Sequence, residues 1–298
     1  ALAAMGYLGI RHILGIVTMF TWPSWEEMFL GTVTFVNGIL VYVRIFFFPV
    51  DLHFDRGLEM FKSFVAPGLW LTVAAYLGLF WAGLRFRRKV SGLTWFCALW
   101  FLIELLPVSQ VVTTIGVYPG AISLSEHFVY LASVPVFLLM VSAADRVYRW
   151  SVEKGKASAS VFRIGFAGFI LFLYLLLLQQ NIYAGNEFLM VRDSLAKDPR
   201  NSRLQYSMGM VYVKLRDYGQ ALEHFRKAVD IDVFNLNYRI AVAKALADTG
   251  DYLASARAYE TIPPREDVAR ILEDNKRAVY RQLVAEYRAR AVSDPKDP

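Results

Sequence analysis

VFRIGFAGFILFLYLLLLQQ, residues 161–180, carries one charged side chain, Arg163, in its whole length. As a helix rising 1.5 Å per residue it spans about 30 Å, the thickness of a bilayer's hydrocarbon core. Just beyond it the composition changes. Residues 1–185 hold 13 basic and 9 acidic side chains, whereas the much shorter stretch 186–298 holds 19 and 17. The chain therefore reads as an apolar bundle over 1–185 followed by a charge-rich domain over 186–298.

Upstream of that segment five more apolar runs approach spanning length, at about 1–20, 27–50, 63–84, 91–108 and 128–144. Across the whole chain of 298 residues, 56% are hydrophobic and only 19% charged, and the mean hydropathy is +0.37. A soluble protein of this length is not so apolar, so membrane lipid is the expected surrounding. Arg85, Arg87, Arg88 and Lys89 follow the third run, and Arg146, Arg149, Lys154, Lys156 and Arg163 separate the fifth from the sixth. Basic loops stay in the cytoplasm. The loops at 51–62 and 109–127 lack such a basic excess and are expected outside, as is everything after residue 181. These signs predict an integral membrane protein, in a bacterial inner membrane, with its tail on the periplasmic or extracytoplasmic side. The segment TWPSWEE at 21–27 carries Glu26 and Glu27 without a basic residue. It leaves two readings of 27–50, a simple span or a re-entrant helix.

The six-charge basic excess sits in short inter-helix loops, so nucleic acid is not an expected partner. The single cysteine, Cys97, permits neither an intrachain disulfide nor a zinc cluster. The chain opens on an apolar helix without a basic leader, unlike a secretory signal peptide, and a preceding segment is expected.

Within the tail a 34-residue frame starting at Ser202 puts Met208, Gly209, Tyr212, Ala221, Phe225 and Ala228 at positions 7, 8, 11, 20, 24 and 27. This is the tetratricopeptide pattern, in which small residues let two helices approach and aromatic ones fill the space beside the contact. A second, weaker frame from Leu236 has Val242, Ala243, Leu246, Ser255, Tyr259 and Ile262 in the matching places. Repeats are expected at about 202–235 and 236–262, with an orphan helix over 186–198 before them and a charged, solvent-facing capping helix over about 265–290. The predicted fold class is all-α: a polytopic membrane bundle and a short extracytoplasmic helical solenoid. Such solenoids offer a groove for a protein partner.

Several polar residues in the apolar part are candidates for chemistry. Glu104 lies within a predicted span, where a carboxylate is rare and either functional or hydrogen-bonded near an interface beside Pro107. Arg11 and Arg44 either snorkel and pair with acids or meet a lipid phosphate, whose oxygens suit a guanidinium. Asp51, His53, Asp55, Glu126 and His127 crowd the predicted outer surface, where such groups either bind a divalent cation, act as a general base, or are solvated loop residues.

Four strings carry a family resemblance: GIRH at 9–12, YVRIFFFPVDLHFD at 42–55, WFLIELLPVSQ at 100–110 and SEHFVYLASVPVFLL at 125–139. Their order, together with the repeats after the last span, resembles the GT-C-class membrane glycosyltransferases that end in tetratricopeptide repeats. The best-known members are the transmembrane-and-tetratricopeptide protein O-mannosyltransferases. The resemblance implies a GT-C-like membrane fold, a polyprenyl-phosphate sugar donor, and transfer to an extracytoplasmic acceptor. It places Asp55, Glu126 and Tyr130 at the mouth of the donor site and Arg11 and Arg44 at the lipid phosphate. Two departures accompany it. The acidic catalytic residue of that class lies in a first outer loop, expected upstream of Ala1, and the arginine after the signature glutamate is His127 here, a group mostly neutral near pH 7. The alternative reading is a non-catalytic, membrane-anchored scaffold whose repeats dock a larger complex.

Overall fold

The computed structural model describes residues 24–109, 116–118, 120–264 and 266–293. The chain is mostly helical and forms two compact units, one of Pro23–Leu204 and one containing Gln205–Pro298. The first apolar run, with Arg11 and His12, lies outside the described residues.

In the first unit α1 (Trp25–Phe47) is followed by a loop that holds β1 (Gly57–Glu59), then α2 (Pro67–Arg85) and α3 (Gly92–Leu105). Next come β2 (Gly116–Tyr118), β3 (Ala121–Ser123), α4 (Ser133–Glu153), α5 (Lys156–Ala184) and α6 (Glu187–Lys197). Helices α1, α2 and α5 are long and apolar enough to cross a membrane, and Gly92–Val108 is a shorter apolar stretch. The fifth run becomes α4, whose second half carries Asp145, Arg146, Arg149 and Glu153 and is not apolar enough over that length. Ile164, Leu171, Leu175 and Ile182 are all exposed along α5, an apolar surface that water would not tolerate uncovered.

TWPSWEE has a local explanation. Ser24 Oγ accepts from Glu27 N at 3.2 Å and Glu27 Oε2 accepts from Ser24 N at 2.8 Å, a capping box that starts α1. The acids serve the helix terminus, and α1 runs unbroken for 23 residues, about 34 Å. Among the described residues the segment has no re-entrant break.

The loops predicted to be outside meet each other in a small antiparallel sheet, in the order β1-β3-β2, an element the all-α reading omitted. Gly57 pairs with Ser123, Leu58 with Ile122 and Glu59 with Ala121. Ile122 and Leu124 then pack on Phe35, Tyr42 and Phe46 of α1. Gly38 makes room for this, since a Cβ there would lie 2.6 Å from Leu124 Cδ1. Tyr42 closes the layer by donating from its hydroxyl to Ser125 O at 3.2 Å. In β2, Val117 and Tyr118 are residue types that favour strands.

The second unit continues α7 (Ser202–Lys214), whose first turn belongs to the first unit, with α8 (Tyr218–Ile231), α9 (Leu236–Asp248), α10 (Tyr252–Glu260) and α11 (Glu266–Ser293). The two hairpins repeat at a spacing of 34 down to single atoms. Asp217 N donates to Tyr212 O and Asp251 N to Leu246 O, each at 3.0 Å. The same two aspartates cap α8 and α10, accepting from Gln220 N at 3.1 Å and Ala254 N at 2.9 Å. Left-handed backbone before each cap falls on Arg216 (φ 59°) in the first turn and Gly250 (φ 89°) in the second.

Small-for-large pairing joins the helices. Ala221 and Ala228 are fully buried, Phe225 nearly so, and a Cβ on Gly209 would collide with the Phe225 ring. Tyr212 stacks on His224 with ring centroids 5.4 Å apart. In the second hairpin Ser255 Oγ donates to Ala243 O at 2.7 Å, and Tyr259 and Ile262 fill the core. The last helix, α11, buries Val268, Leu272 and Val279 against the second hairpin and leaves most of its other described residues exposed.

Candidate functional site

At the end of α1 the chain turns through Pro49 and Val50 into Asp51, which adopts left-handed backbone at φ 58°. Its carboxylate stands among three cations and an imidazole. Arg44 Nη2 lies 3.7 Å away, Arg56 Nη1 3.6 Å, Lys197 Nζ 3.9 Å and His53 Nε2 3.3 Å. Arg44 comes from the last turn of α1, Arg56 from the loop before β1, and Lys197 from the last turn of α6. Arg56 also donates from Nη2 to Asp51 O at 2.6 Å.

Glu126 adjoins this cluster. Its Oε1 accepts from His53 N at 2.7 Å and lies 3.9 Å from Arg56 Nη2. Burial pushes the Glu126 carboxyl above its ordinary value, against the pull of the His53 N–H, Arg56 and Lys197. Burial also works upward on Asp51, but His53, Arg56 and Lys197 outweigh it and hold that group low. His53 is held below the usual imidazole value by burial first and by Arg56 next, so it is neutral near pH 7. Its Nδ1 and the Arg56 Nε are buried and lack a hydrogen-bond partner among the described residues.

Asp55 is nearby in sequence but has a different job. It is only 2% exposed, and its Oδ1 accepts from Ser123 Oγ at 2.9 Å and Ser125 Oγ at 2.7 Å. Arg203 Nε lies 3.3 Å from its Oδ2. Asn201, which caps α7 by accepting from Arg203 N and Leu204 N at 3.1 Å each, also donates to Asp55 O at 3.2 Å. These partners leave the carboxylate tied into the loop, as a structural staple.

The structure thus brings together Arg44, Asp51, His53 and Glu126 of the residues singled out in the sequence. Glu104 accepts from Trp100 Nε1 at 3.1 Å, one turn back on α3. His127 and Tyr130 are exposed, and neither side chain hydrogen-bonds to another described residue. Arg11 is outside the described residues. Among the described residues no group of three His, Cys, Asp or Glu side chains is arranged to hold a metal ion, so no step is derived through a divalent cation.

Arg56 and Lys197 were missed in the sequence because a loop arginine and a lysine after the last span carry no pattern of their own. Fixing them takes a second set of contacts. Ser194 Oγ accepts from Phe54 N at 2.9 Å, Asp198 Oδ2 from Gly57 N at 3.1 Å, and Leu52 O from Lys197 Nζ at 2.7 Å. Through these bonds α6 lies against the 51–59 loop as part of the same compact unit.

The helical tail has a feature of its own, a cavity of about 190 Å³ lined by Arg226, Val229, Asp230, Arg239, Val242, Ala258 and Thr261. Arg239 Nη2 closes one side by donating to Thr261 O at 2.7 Å.

No known family model matches this chain, and no curated protein does. Among solved structures, MamA AMB-1 C2221 is similar over 51% of this chain and 88% of its own, at 18% identity and a TM-score of 0.28. That score is too low to fix the fold.

Proposed function

We propose that this chain is the donor-binding and carboxy-terminal portion of a GT-C-like membrane glycosyltransferase. In this reading the Asp51-centred cluster receives the phosphate of a polyprenyl-phosphate sugar, and tetratricopeptide hairpins hold the acceptor or a partner protein. The observation that carries it is the convergence of Arg44, Arg56 and Lys197 on one half-exposed carboxylate at the end of an apolar helix. Two planar guanidinium forks and an ammonium suit phosphate oxygens, and a membrane helix ending there sets the headgroup depth for a lipid-borne ligand. Glu126 beside them, with its proton held more tightly than usual, has the character of a proton donor or acceptor for a leaving phosphate or an incoming hydroxyl.

The basic loops after α2 and between α4 and α5 support a cytoplasmic placement for those turns, and so an extracytoplasmic one for the cluster and the tail. Replacing Arg44 or Glu126 with Ala in the complete protein abolishes transfer of sugar to a co-purifying external protein and leaves abundance unchanged. Undiminished transfer removes them from the site.

One observation favours the second reading, a non-catalytic membrane-anchored scaffold: Asp55, the acid that the family resemblance assigns to the donor site, is buried, with its Oδ1 taken by Ser123 and Ser125 and its Oδ2 paired in charge with Arg203. The two readings separate in one experiment, because a scaffold keeps its partner and shows no glycan dependent on this chain.

A further inference from the structure

We infer that the second half of α11 docks on a bilayer surface of anionic lipid headgroups, lying in the interface and held there by Arg277, Arg281 and Arg288. This surface is separate from the Asp51 cluster and does not depend on the donor-site reading.

Helix α11 is 28 residues long, about 42 Å, whereas α10 before it has nine residues. Val268, Leu272 and Val279 are buried against the second hairpin, and Leu283 packs partly on the same cluster. The helix carries further apolar side chains on a different face. Tyr280, Val284 and Tyr287 are spaced i, i+4 and i+7, which aligns them along one side. They are 40%, 47% and 55% exposed. The Tyr280 hydroxyl donates to Glu260, which orients the ring without covering it.

Arg277, Arg281 and Arg288 run beside this stripe. Each stands three or four residues from one of its members, so the two lines adjoin on the helix surface. All three arginines are exposed, and none pairs with an acid among the described residues. The charge of α11 changes sign along its length. Residues 266–276 hold four acids and two bases, and residues 277–293 hold one acid and four bases.

An apolar stripe edged by cations suits an anionic membrane or an acidic protein, and three observations favour the membrane. From Tyr280 to Tyr287 the stripe is about 10 Å long. Three side chains over that length fall short of the roughly 800 Å² that each partner buries in a stable protein interface. Tyrosine, with an apolar ring and a polar tip, belongs at the headgroup level, where arginine stems lie along the apolar layer and their guanidinium groups reach the phosphates. And the same chain has three helices long and apolar enough to cross a membrane, so each copy of α11 is tethered to a bilayer surface. Tethering makes docking an intramolecular step, for which a short stripe suffices.

The test uses the full chain in nanodiscs of phosphatidylglycerol or of phosphatidylcholine. With Cys97→Ser, a bimane is attached at Ala285→Cys, one residue off the stripe. Nitroxide-bearing lipids should quench it in phosphatidylglycerol and leave it bright in phosphatidylcholine. An arginine near an anionic surface contributes about fivefold to the docked population. Arg277→Gln, Arg281→Gln and Arg288→Gln together should therefore lower the docked-to-free ratio about a hundredfold. Raising salt from about 0.15 M to about 1 M, which shortens the screening length from about 8 to about 3 Å, should release the helix as well. Lysine substitution at the same three arginines should keep the quenching, and the amides of residues 268–279 should keep their hydrogen-exchange protection in both sets of variants. Equal quenching in the two lipids, or quenching untouched by the glutamine substitutions, overturns the inference, because the arginines then sense no charge. A bimane that stays bright in both lipids overturns it and leaves the stripe to an acidic protein. Quenching lost with lysine too, together with amide protection, also overturns it, because the arginines then only hold the fold.

Discussion

Arg203, in the first turn of α7, lies 3.3 Å from the Oδ2 of Asp55, a carboxylate buried in the loop that follows α1. Around this pair Ser123, Ser125 and Asn201 complete the meeting of two distant stretches of chain at one acid. Removing the acid leaves Ser123 and Ser125, whose hydroxyls lie 2.8 Å apart, able to satisfy one donor between them and not the other, and takes the partner from the half-exposed Arg203. Asp55→Ala should therefore cost about 2–3 kcal/mol. Arg203→Ala should cost less, because its side chain is 44% exposed. Thermal unfolding in detergent ranks the two, and an Arg203→Ala variant less stable than Asp55→Ala contradicts the staple.

The packing of the first helical hairpin depends on a missing Cβ. Gly209→Ala drives a methyl into the Phe225 ring and should destabilise the tail by about 1–3 kcal/mol, with Phe225→Leu in the same chain recovering part of the loss. If Gly209→Ala unfolds at the same temperature as the unaltered protein, α7 and α8 do not approach as described.

The turn of that hairpin should respond in the opposite direction. Arg216 occupies left-handed backbone where the second hairpin has Gly250. Arg216→Gly relieves a conformation that costs an L-residue about 1 kcal/mol and should raise the unfolding temperature of the tail. Introducing Gly250→Ala should lower it, and a lowered temperature for Arg216→Gly argues against the repeated turn.

Glu126 and His53 give the cluster around Asp51 opposed pH dependences. For Glu126 the folded value lies above the unfolded one, so the native state holds the proton longer. Its contribution is present below the unfolded value and is lost as pH rises through the folded one. For His53 the folded value is depressed, so stability is lost as pH falls through the ordinary imidazole value toward the lower one. Glu126→Gln keeps an acceptor for His53 N and removes the buried charge. It should be more stable than the unaltered chain at pH 8 and indistinguishable from it near pH 4; the reverse order across a pH series of unfolding curves refutes the burial.

Topology can be read with the one native thiol removed. In a Cys97→Ser background, Asp232→Cys should react with a membrane-impermeant maleimide on cells whose outer envelope has been opened, and Lys89→Cys only after lysis. Labelling of position 89 in intact cells, with position 232 protected, inverts the orientation and takes the sugar-transfer proposal with it.

Much of this molecule is local enough to be read along the chain. The apolar runs, the Ser24–Glu27 capping box and the 34-residue spacing of Gly209 with Ala243 and Phe225 with Tyr259 each follow from neighbours within one or two turns or from a repeat. Segment composition determined that apolar helices precede a charged helical tail, because burial and helix periodicity act over short distances.

Only the tertiary structure decided which polar groups meet. Lys197 reaches Leu52 from 145 positions away, and Asp55 became a staple while its neighbour Asp51 took the cations. Both aspartates look alike in sequence. Their roles separated because a small sheet, formed by pairing two remote loops, turned Asp55 inward onto Ser123 and Ser125 and left Asp51 half-exposed at the helix end. The strength of an electrostatic interaction is set by distance and burial, and neither is written in the order of residues.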